Sequence, residues 1–304
     1  PHRSAARGLS AAEPGRVVAA HGRHYLVELD GGAFIQCLPR GKKSTLACGD
    51  RVAIAMVSAD QGVIEALDPR STLFCRSAAY RTKLLAANAT QVAVVVAGEP
   101  SFSDELIARV LAAAAHQAMR GFIVLNKTDL AGPAAAARTR LAPFRNAGYA
   151  IVETAATHEA HAGLDALAAA LAGQSTVLIG QSGMGKSTLV NALVPDAGAA
   201  TREISRFLDS GRHTTTSSRL YAVDGGTLID CPGMQEFGLA HLSSADVQRS
   251  FVDVRSHLGQ CRFRDCAHRT EPGCAVRAAA ARGEIDPRRL ELLHRILDAE
   301  AARA

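Results

Sequence analysis

A chain of 304 residues with 48% hydrophobic and 21% charged residues, and no unbroken apolar run of about 18, excludes a transmembrane helix and leaves enough apolar material for two or three domains. Lys and Arg number 34 against 29 Asp and Glu, a formal charge of 34 − 29 = +5 that favours phosphate-rich partners. Seven cysteines, odd in number and thinly spread until three cluster near the end, exclude a disulfide scaffold and fit a reducing cytoplasm.

The opening Pro1-His2-Arg3-Ser4-Ala5-Ala6-Arg7 is basic but has no apolar segment of the secretory kind, so residues 1–11 are expected to be a frayed, disordered terminus. Residues 12–76 hold short alternating runs at 15–19, 24–29 and 50–55, with turn signals at Asp30-Gly31-Gly32, Pro39-Arg40-Gly41 and Ala59-Asp60-Gln61-Gly62. That spacing predicts a small OB-like β-barrel. Its turn Arg40-Gly41-Lys42-Lys43 is basic, as a loop facing nucleic acid would be, although a purely structural barrel would look the same.

From about residue 77 to 240 apolar strands alternate with Ala-rich helical runs, the pattern of a parallel α/β sheet. Strands are predicted over 91–96, 122–125, 149–152, 176–179, 219–223 and 227–229, and the Ala-rich pieces at 133–137 and 166–172 read as helix surface. Beyond 240 the texture is helical, polar and then Arg-rich, with ten Arg and six acids between Arg249 and Arg295, a local charge of 10 − 6 = +4.

Four residues after one predicted strand, Asn126-Lys127-Thr128-Asp129, suit guanine: its N1–H and exocyclic amine are adjacent donors that one ionised Asp accepts together. Adenine lacks that N1–H, so discrimination of roughly 10⁴-fold is reachable. Thr154-Ala155 follows the next strand, where a backbone contact to the guanine carbonyl would fall.

Gly180-Gln181-Ser182-Gly183-Met184-Gly185-Lys186-Ser187-Thr188 fits the P-loop, preceded by Val177-Leu178-Ile179 and opening a helix. Its backbone N–H groups and helix N-terminus would cradle phosphates, Lys186 would reach the β- and γ-phosphates, and the Ser187 hydroxyl would ligate Mg²⁺. Gly211-Arg212-His213-Thr214-Thr215-Thr216 offers Thr215 to the same ion. Asp230-Cys231-Pro232-Gly233 would supply Asp230 to it and the Gly233 N–H to the γ-phosphate. Met234 stands where a water-positioning Gln is often found, and a thioether cannot orient water; His213 is a candidate for that duty, or it packs or contacts a partner instead. The order is unusual. The N-K-T-D motif comes 54 residues before Gly180, as in a GTPase fold that has been cut and rejoined.

Cys261, Cys266, His268 and Cys274 offer three thiolates and an imidazole within fourteen residues, a closed set for one structural Zn²⁺ per chain.

With this permuted order, G-R-H-T-T-T at 211–216 and C-R-F-R-D-C-A-H-R-T-E-P-G-C at 261–274, the chain closely resembles the ribosome small subunit-dependent GTPase A family over residues 14–297. Met184, Cys231 and Ala89-Thr90 depart from that family's usual residues, none at a ligand-bearing position. The resemblance implies an OB-fold barrel, a permuted GTPase domain and a zinc domain at 241–304. It further implies a cytoplasmic monomer that binds GTP and GDP, docks on the 30S subunit and its 16S rRNA, and hydrolyses GTP under ribosomal stimulation late in 30S maturation. The rival is an RNA-binding checkpoint in which GTP occupancy matters and turnover is incidental.

Overall fold

The computed structural model describes residues 12–41, 45–78, 81–157, 162–194, 197 and 218–302. The terminus expected to be disordered lies outside them, as do Lys42, Lys43, His213 and Thr215.

Five strands, β1 (Glu13–His21), β2 (His24–Leu29), β3 (Phe34–Pro39), β4 (Arg51–Met56) and β5 (Gln61–Leu67), form the barrel. They run β1-β2-β3-β5-β4, and β4 pairs back onto β1 to close it. Val17, Val27, Ile35, Cys37, Val52, Ile54 and Ile64 point inward and fill it, which is the alternation that the apolar runs encode. Strands β3 and β5 are absent from the sequence reading for identifiable reasons. Phe34 and Leu38 leave β3 apolar on its outer face too, and Gln61-Gly62 reads as a turn yet begins β5.

A hairpin of β6 (Leu73–Ala78) and β7 (Arg81–Ala87) links the barrel to the next sheet. A domain boundary between residues 76 and 77 therefore falls inside β6. The Ala87 N–H donates to Cys48 O at 2.8 Å, so the hairpin is stitched to the barrel's 47–50 loop.

The α/β domain contains β8 (Gln91–Ala97), α1 (Asp104–His116), β9 (Arg120–Asn126), α2 (Ala131–Asn146), β10 (Ile151–Glu153), α3 (Leu164–Leu171), β11 (Ser175–Gly180), α4 (Lys186–Leu193), β12 (Arg219–Val223) and β13 (Gly226–Asp230). Strand order is β10-β9-β8-β11-β13-β12, with β12 antiparallel and the others parallel. Helices cover both faces, so β8 is buried at all seven positions and reads as an unbroken apolar run rather than an alternation. Parallel direction brings the carboxyl ends of β9, β10, β11 and β13 to one edge of the sheet.

The C-terminal module comprises α5 (Ser244–Ser250), a 3₁₀ turn (Arg255–His257), α6 (Ala275–Ala281) and α7 (Pro287–Ala301). Ser243 and Asp246 form a reciprocal capping box on α5, and Asp286 caps α7 ahead of Pro287. Helix α7 lies along the α/β domain. Its Glu300 pairs with the buried Arg109 of α1. Its Arg289, 1% exposed, bonds Asp253 at 2.9 and 3.1 Å, with its guanidinium 4.5 Å from the ring centre of Phe251, 5.1 Å from Phe144 and 5.7 Å from Tyr149. Phe144 belongs to α2 and Tyr149 to the turn after it, so one guanidinium holds module and sheet domain together.

Asp253→Ala would leave that guanidinium buried and uncompensated. Breaking such a pair costs about 3–5 kcal/mol. The variant is expected to unfold in urea at a clearly lower midpoint; an unchanged midpoint would remove Arg289 from the account of interdomain stability.

Candidate functional site

Strand β11 lies between β8 and β13, and Gly180 ends it where the chain leaves the sheet in opposite directions on its two sides, the usual place for a ligand crevice. The next turn needs glycine. Gly183 has φ +83° and Gly185 φ +88°, and Gly185 caps α4 at Lys186. A cleft of about 420 Å³ opens there, bounded by residues 181–183 and 185–188, Lys127 and residues 230–233. It thus brings together Gln181, Ser182, Lys186, Ser187, Thr188, Asp230 and Gly233.

The Lys186 ammonium donates to Gly180 O at 3.2 Å. Burial pushes its pKa down, against the pull of Asp230 and Cys231. Burial also raises Asp230 to about 6, opposed by Lys186 and Arg219. Asp230 Oδ1 is buried and accepts no hydrogen bond among the described residues. A desolvated cation and a buried carboxylate oxygen with unused lone pairs fit a phosphate and a hydrated divalent ion, and Ser187 at the mouth of α4 adds a hydroxyl.

The base-side loop is fixed by Asn126, buried at the end of β9. Its Nδ2 donates to Met184 O at 3.1 Å, while its Oδ1 accepts from Thr154 Oγ1 at 3.0 Å and from the Ala156 N–H at 3.4 Å. Thr128 donates through both N–H and Oγ1 to Thr154 O, each at 3.1 Å. Lys127 adopts φ +59° and donates to Glu99 O at 3.0 Å. Asp129 stands exposed beyond them. Thr154 is fully buried, so its hydroxyl serves Asn126, and the Ala155 N–H donates to Ala162 O at 2.9 Å. A contact from Ala155 to a base carbonyl would have to displace that bond.

After Asp230 the chain passes Gly233 and buries the Met234 side chain. Gln235 is exposed and accepts from Gln181 Nε2 at 3.3 Å, while Gln181 Oε1 accepts the Ser103 N–H at 2.7 Å. Farther on, the linking hairpin grips this segment. The Ser77 N–H donates to Gly238 O at 2.9 Å, Ser77 Oγ lies 3.1 Å from the His241 N–H and 3.0 Å from its Nδ1, and the rings of Phe74 and Phe237 stand 5.6 Å apart. Sequence reasoning placed Gln181 in the P-loop but missed its pairings with Ser103 and Gln235, and missed Ser77, because such pairings join distant segments and leave no local spacing to read.

In the C-terminal module the ligand atoms of Cys261, Cys266, His268 and Cys274 all lie within 4.8 Å of one another. Cys261 Sγ is 4.0 Å from Cys274 Sγ, and His268 Nδ1 is 3.5 and 3.4 Å from those two sulfurs. A tetrahedral Zn²⁺ with bonds of about 2.0–2.3 Å sets its ligands roughly 3.5–3.8 Å apart, so the set can hold zinc. Nδ1 faces the cluster, leaving Nε2 to Gln248 Oε1 at 3.1 Å, an outer partner that fixes the ring and that sequence spacing gave no means of finding.

A family model described as RsgA GTPase matches residues 67–240. The Small ribosomal subunit biogenesis GTPase RsgA of Burkholderia pseudomallei (strain K96243) is 53% identical over 291 residues, covering 95% of this chain and 92% of its own. The protein of the same name from Ralstonia pickettii (strain 12J) is 50% identical over 301 residues, covering 97% and 94%. Among solved structures, YjeQ from Thermotoga maritima superposes with a TM-score of 0.73 at 28% identity, over 96% of this chain and all of that one. YloQ, a circularly permuted GTPase, superposes at 0.71 with 24% identity over 99% of both chains, a likeness of fold.

A Cβ on Gly185 would sit 2.3 Å from Asn126 Nδ2, in a backbone conformation that L side chains rarely adopt. Gly185→Ala is therefore expected to weaken guanine-nucleotide binding at least about tenfold and to lower thermal stability as well, by about 1–3 kcal/mol. Titration with a fluorescent GDP analogue checks it; wild-type affinity would show that the contact is not needed.

Proposed function

Because the chain belongs to the RsgA GTPase family, we propose that it is a GTP-driven assembly factor that docks on the 30S subunit through 16S rRNA late in maturation, with hydrolysis stimulated by that docking. It is a GTP-hydrolysing enzyme with circularly permuted motifs. The observation that carries the reading is the joining of the P-loop and N-K-T-D loops by Asn126 at one edge of the sheet, in a chain 53% identical to a named small-subunit biogenesis GTPase.

In this reading Asp129 accepts the two guanine donors, and Asn126, Lys127 and Thr128 hold its loop against the P-loop. Residues Gly180 to Thr188 wrap the phosphates, and Lys186 balances charge on the β- and γ-oxygens. Ser187, Asp230 and Thr215 would hold Mg²⁺, which when bound neutralises phosphate charge. The Gly233 N–H senses the γ-phosphate. Orientation of the attacking water passes to a group other than the buried Met234 side chain, and His213 is this chain's candidate. Zinc on Cys261, Cys266, His268 and Cys274 would be structural, one ion per chain, because all four positions are filled by protein. Among the described residues no helix is long and apolar enough to cross a membrane, and a cytoplasmic monomer bound reversibly to the small subunit fits the reading.

GTP turnover measured with purified 30S, 50S and 70S particles tests the proposal, with Lys186→Ala as the inactive control. Stimulation by 30S well above that by 50S is expected. Equal rates with all three particles, or with none, would overturn it.

A further inference from the structure

Past the end of β13 the chain stays paired to the P-loop strand for several residues. The Cys231 N–H donates to Leu178 O at 3.2 Å, and the Met234 N–H donates to Gly180 O, also at 3.2 Å. Gln235 adds a third rung through its side chain, whose Oε1 accepts from Gln181 Nε2 at 3.3 Å. Gly233 lies within this ladder and faces the nucleotide cleft, where a Cβ placed on it would stand 3.4 Å from Ser182 N and 3.5 Å from Lys186 Nζ. The N–H assigned to the γ-phosphate is therefore carried on a segment that is tied down two residues later.

The group that holds Gln235 is itself fixed. Gln181 Oε1 accepts the Ser103 N–H at 2.7 Å, and Ser103 caps α1 by accepting the Leu106 N–H at 3.2 Å. Arg140 pins the same loop, donating to Ser101 Oγ, Phe102 O and Asp104 Oδ1 at 2.7, 2.8 and 2.9 Å, with its guanidinium 4.2 Å from the ring centre of Phe102. A carboxamide has one acceptor end and one donor end. Engagement of Gln181 Oε1 by a backbone donor turns its Nε2 toward Gln235 and calls for an acceptor there, so the clasp has a defined polarity.

We propose that Gln235, clasped by Gln181, is a positioning residue for γ-phosphate recognition: it holds the 233–235 turn against the P-loop, so that the Gly233 N–H meets the phosphate without a further ordering cost. Gln235 does not act on the phosphate itself. Its side chain lines a separate cleft of about 240 Å³ on the α1 side of the P-loop, with Ser103, Leu106 and Arg109, and its effect passes through the backbone of Gly233. The inference rests on the proposed reading that the Gly233 N–H serves the γ-phosphate.

GDP lacks the γ-phosphate, so its affinity reports on every nucleotide contact except this one. In the full-length chain Gln235→Ala is expected to weaken binding of a fluorescent non-hydrolysable GTP analogue about three- to tenfold, the worth of one net hydrogen bond, and to leave the matching GDP analogue unchanged. Gln235 is exposed, so the variant keeps its fold. Gln235→Met, which preserves length without an acceptor, should lose as much as Gln235→Ala. Gln181→Ala should weaken the GTP analogue to the same degree, and the double alanine variant should lose no more than either single one, because both remove the same bond. Equal weakening of the two analogues would make the clasp a purely structural contact and overturn the inference. So would wild-type affinity for the GTP analogue in Gln235→Ala or Gln235→Met, or fully additive losses in the double variant. Hydrogen exchange over residues 231–237 of the wild type separates this failure from that of the reading beneath it. Slower exchange with the GTP analogue than with GDP is expected, and equal exchange with both would remove Gly233 from γ-phosphate recognition and the inference with it.

Discussion

One carboxamide, that of Asn126, joins three loops that the chain makes far apart. Its amide holds Met184 of the P-loop, and its carbonyl oxygen collects Thr154 and Ala156 from the loop after β10. The group is buried, so every one of its polar atoms left without a partner would carry a desolvation penalty of roughly 1–3 kcal/mol. The P-loop and the 126–129 loop are therefore locked in one register, which fixes the span of the cleft that they border. Gly185 must be glycine for the same reason.

This joint explains why permutation does no harm to the site. What matters is that β9, β10, β11 and β13 end at a common edge, and parallel pairing guarantees that whatever the order of connection. Reordering changes what the movable parts are tied to. The segment after Asp230 runs into α5 and the metal module instead of back into the sheet. It is held at one end by Gln181 of the P-loop and at the other by Ser77 of the hairpin, which is itself stitched to the barrel through Cys48. Any change of position at Gly233 thus bears on barrel and C-terminal module together, with Arg289 keeping the module seated against α2.

Much of the site was legible because its motifs are contiguous. The glycines, lysine and serine of 180–188, the four residues 126–129 and the Cys₃His set each carry their chemistry within a few positions of one another. The permuted order was legible too, being order alone. What escaped was built from distant pairs. Thr154-Ala155 reads as a backbone contact to a base, but nothing in the spacing shows that the Thr154 hydroxyl serves Asn126 or that Gln248 braces His268. Arg289 sits among exposed arginines of an amphipathic helix, where its own burial leaves no trace in the pattern. The hairpin β6–β7 was hidden because its barrel-side strand runs straight on from the barrel's own texture, and β5 because its first residues are turn formers.

The central claim is that a base-reading carboxylate at Asp129 is held in register with the P-loop by Asn126, and nucleotide selectivity tests it most directly. Guanine presents two donors to that carboxylate, whereas xanthine presents an oxygen in place of the amine and pairs with an amide. Competition binding of GTP and XTP to wild type and to Asp129→Asn should show preference passing from GTP to XTP, by a combined change of at least about 10²-fold. Retention of the wild-type preference for GTP in Asp129→Asn would contradict the account.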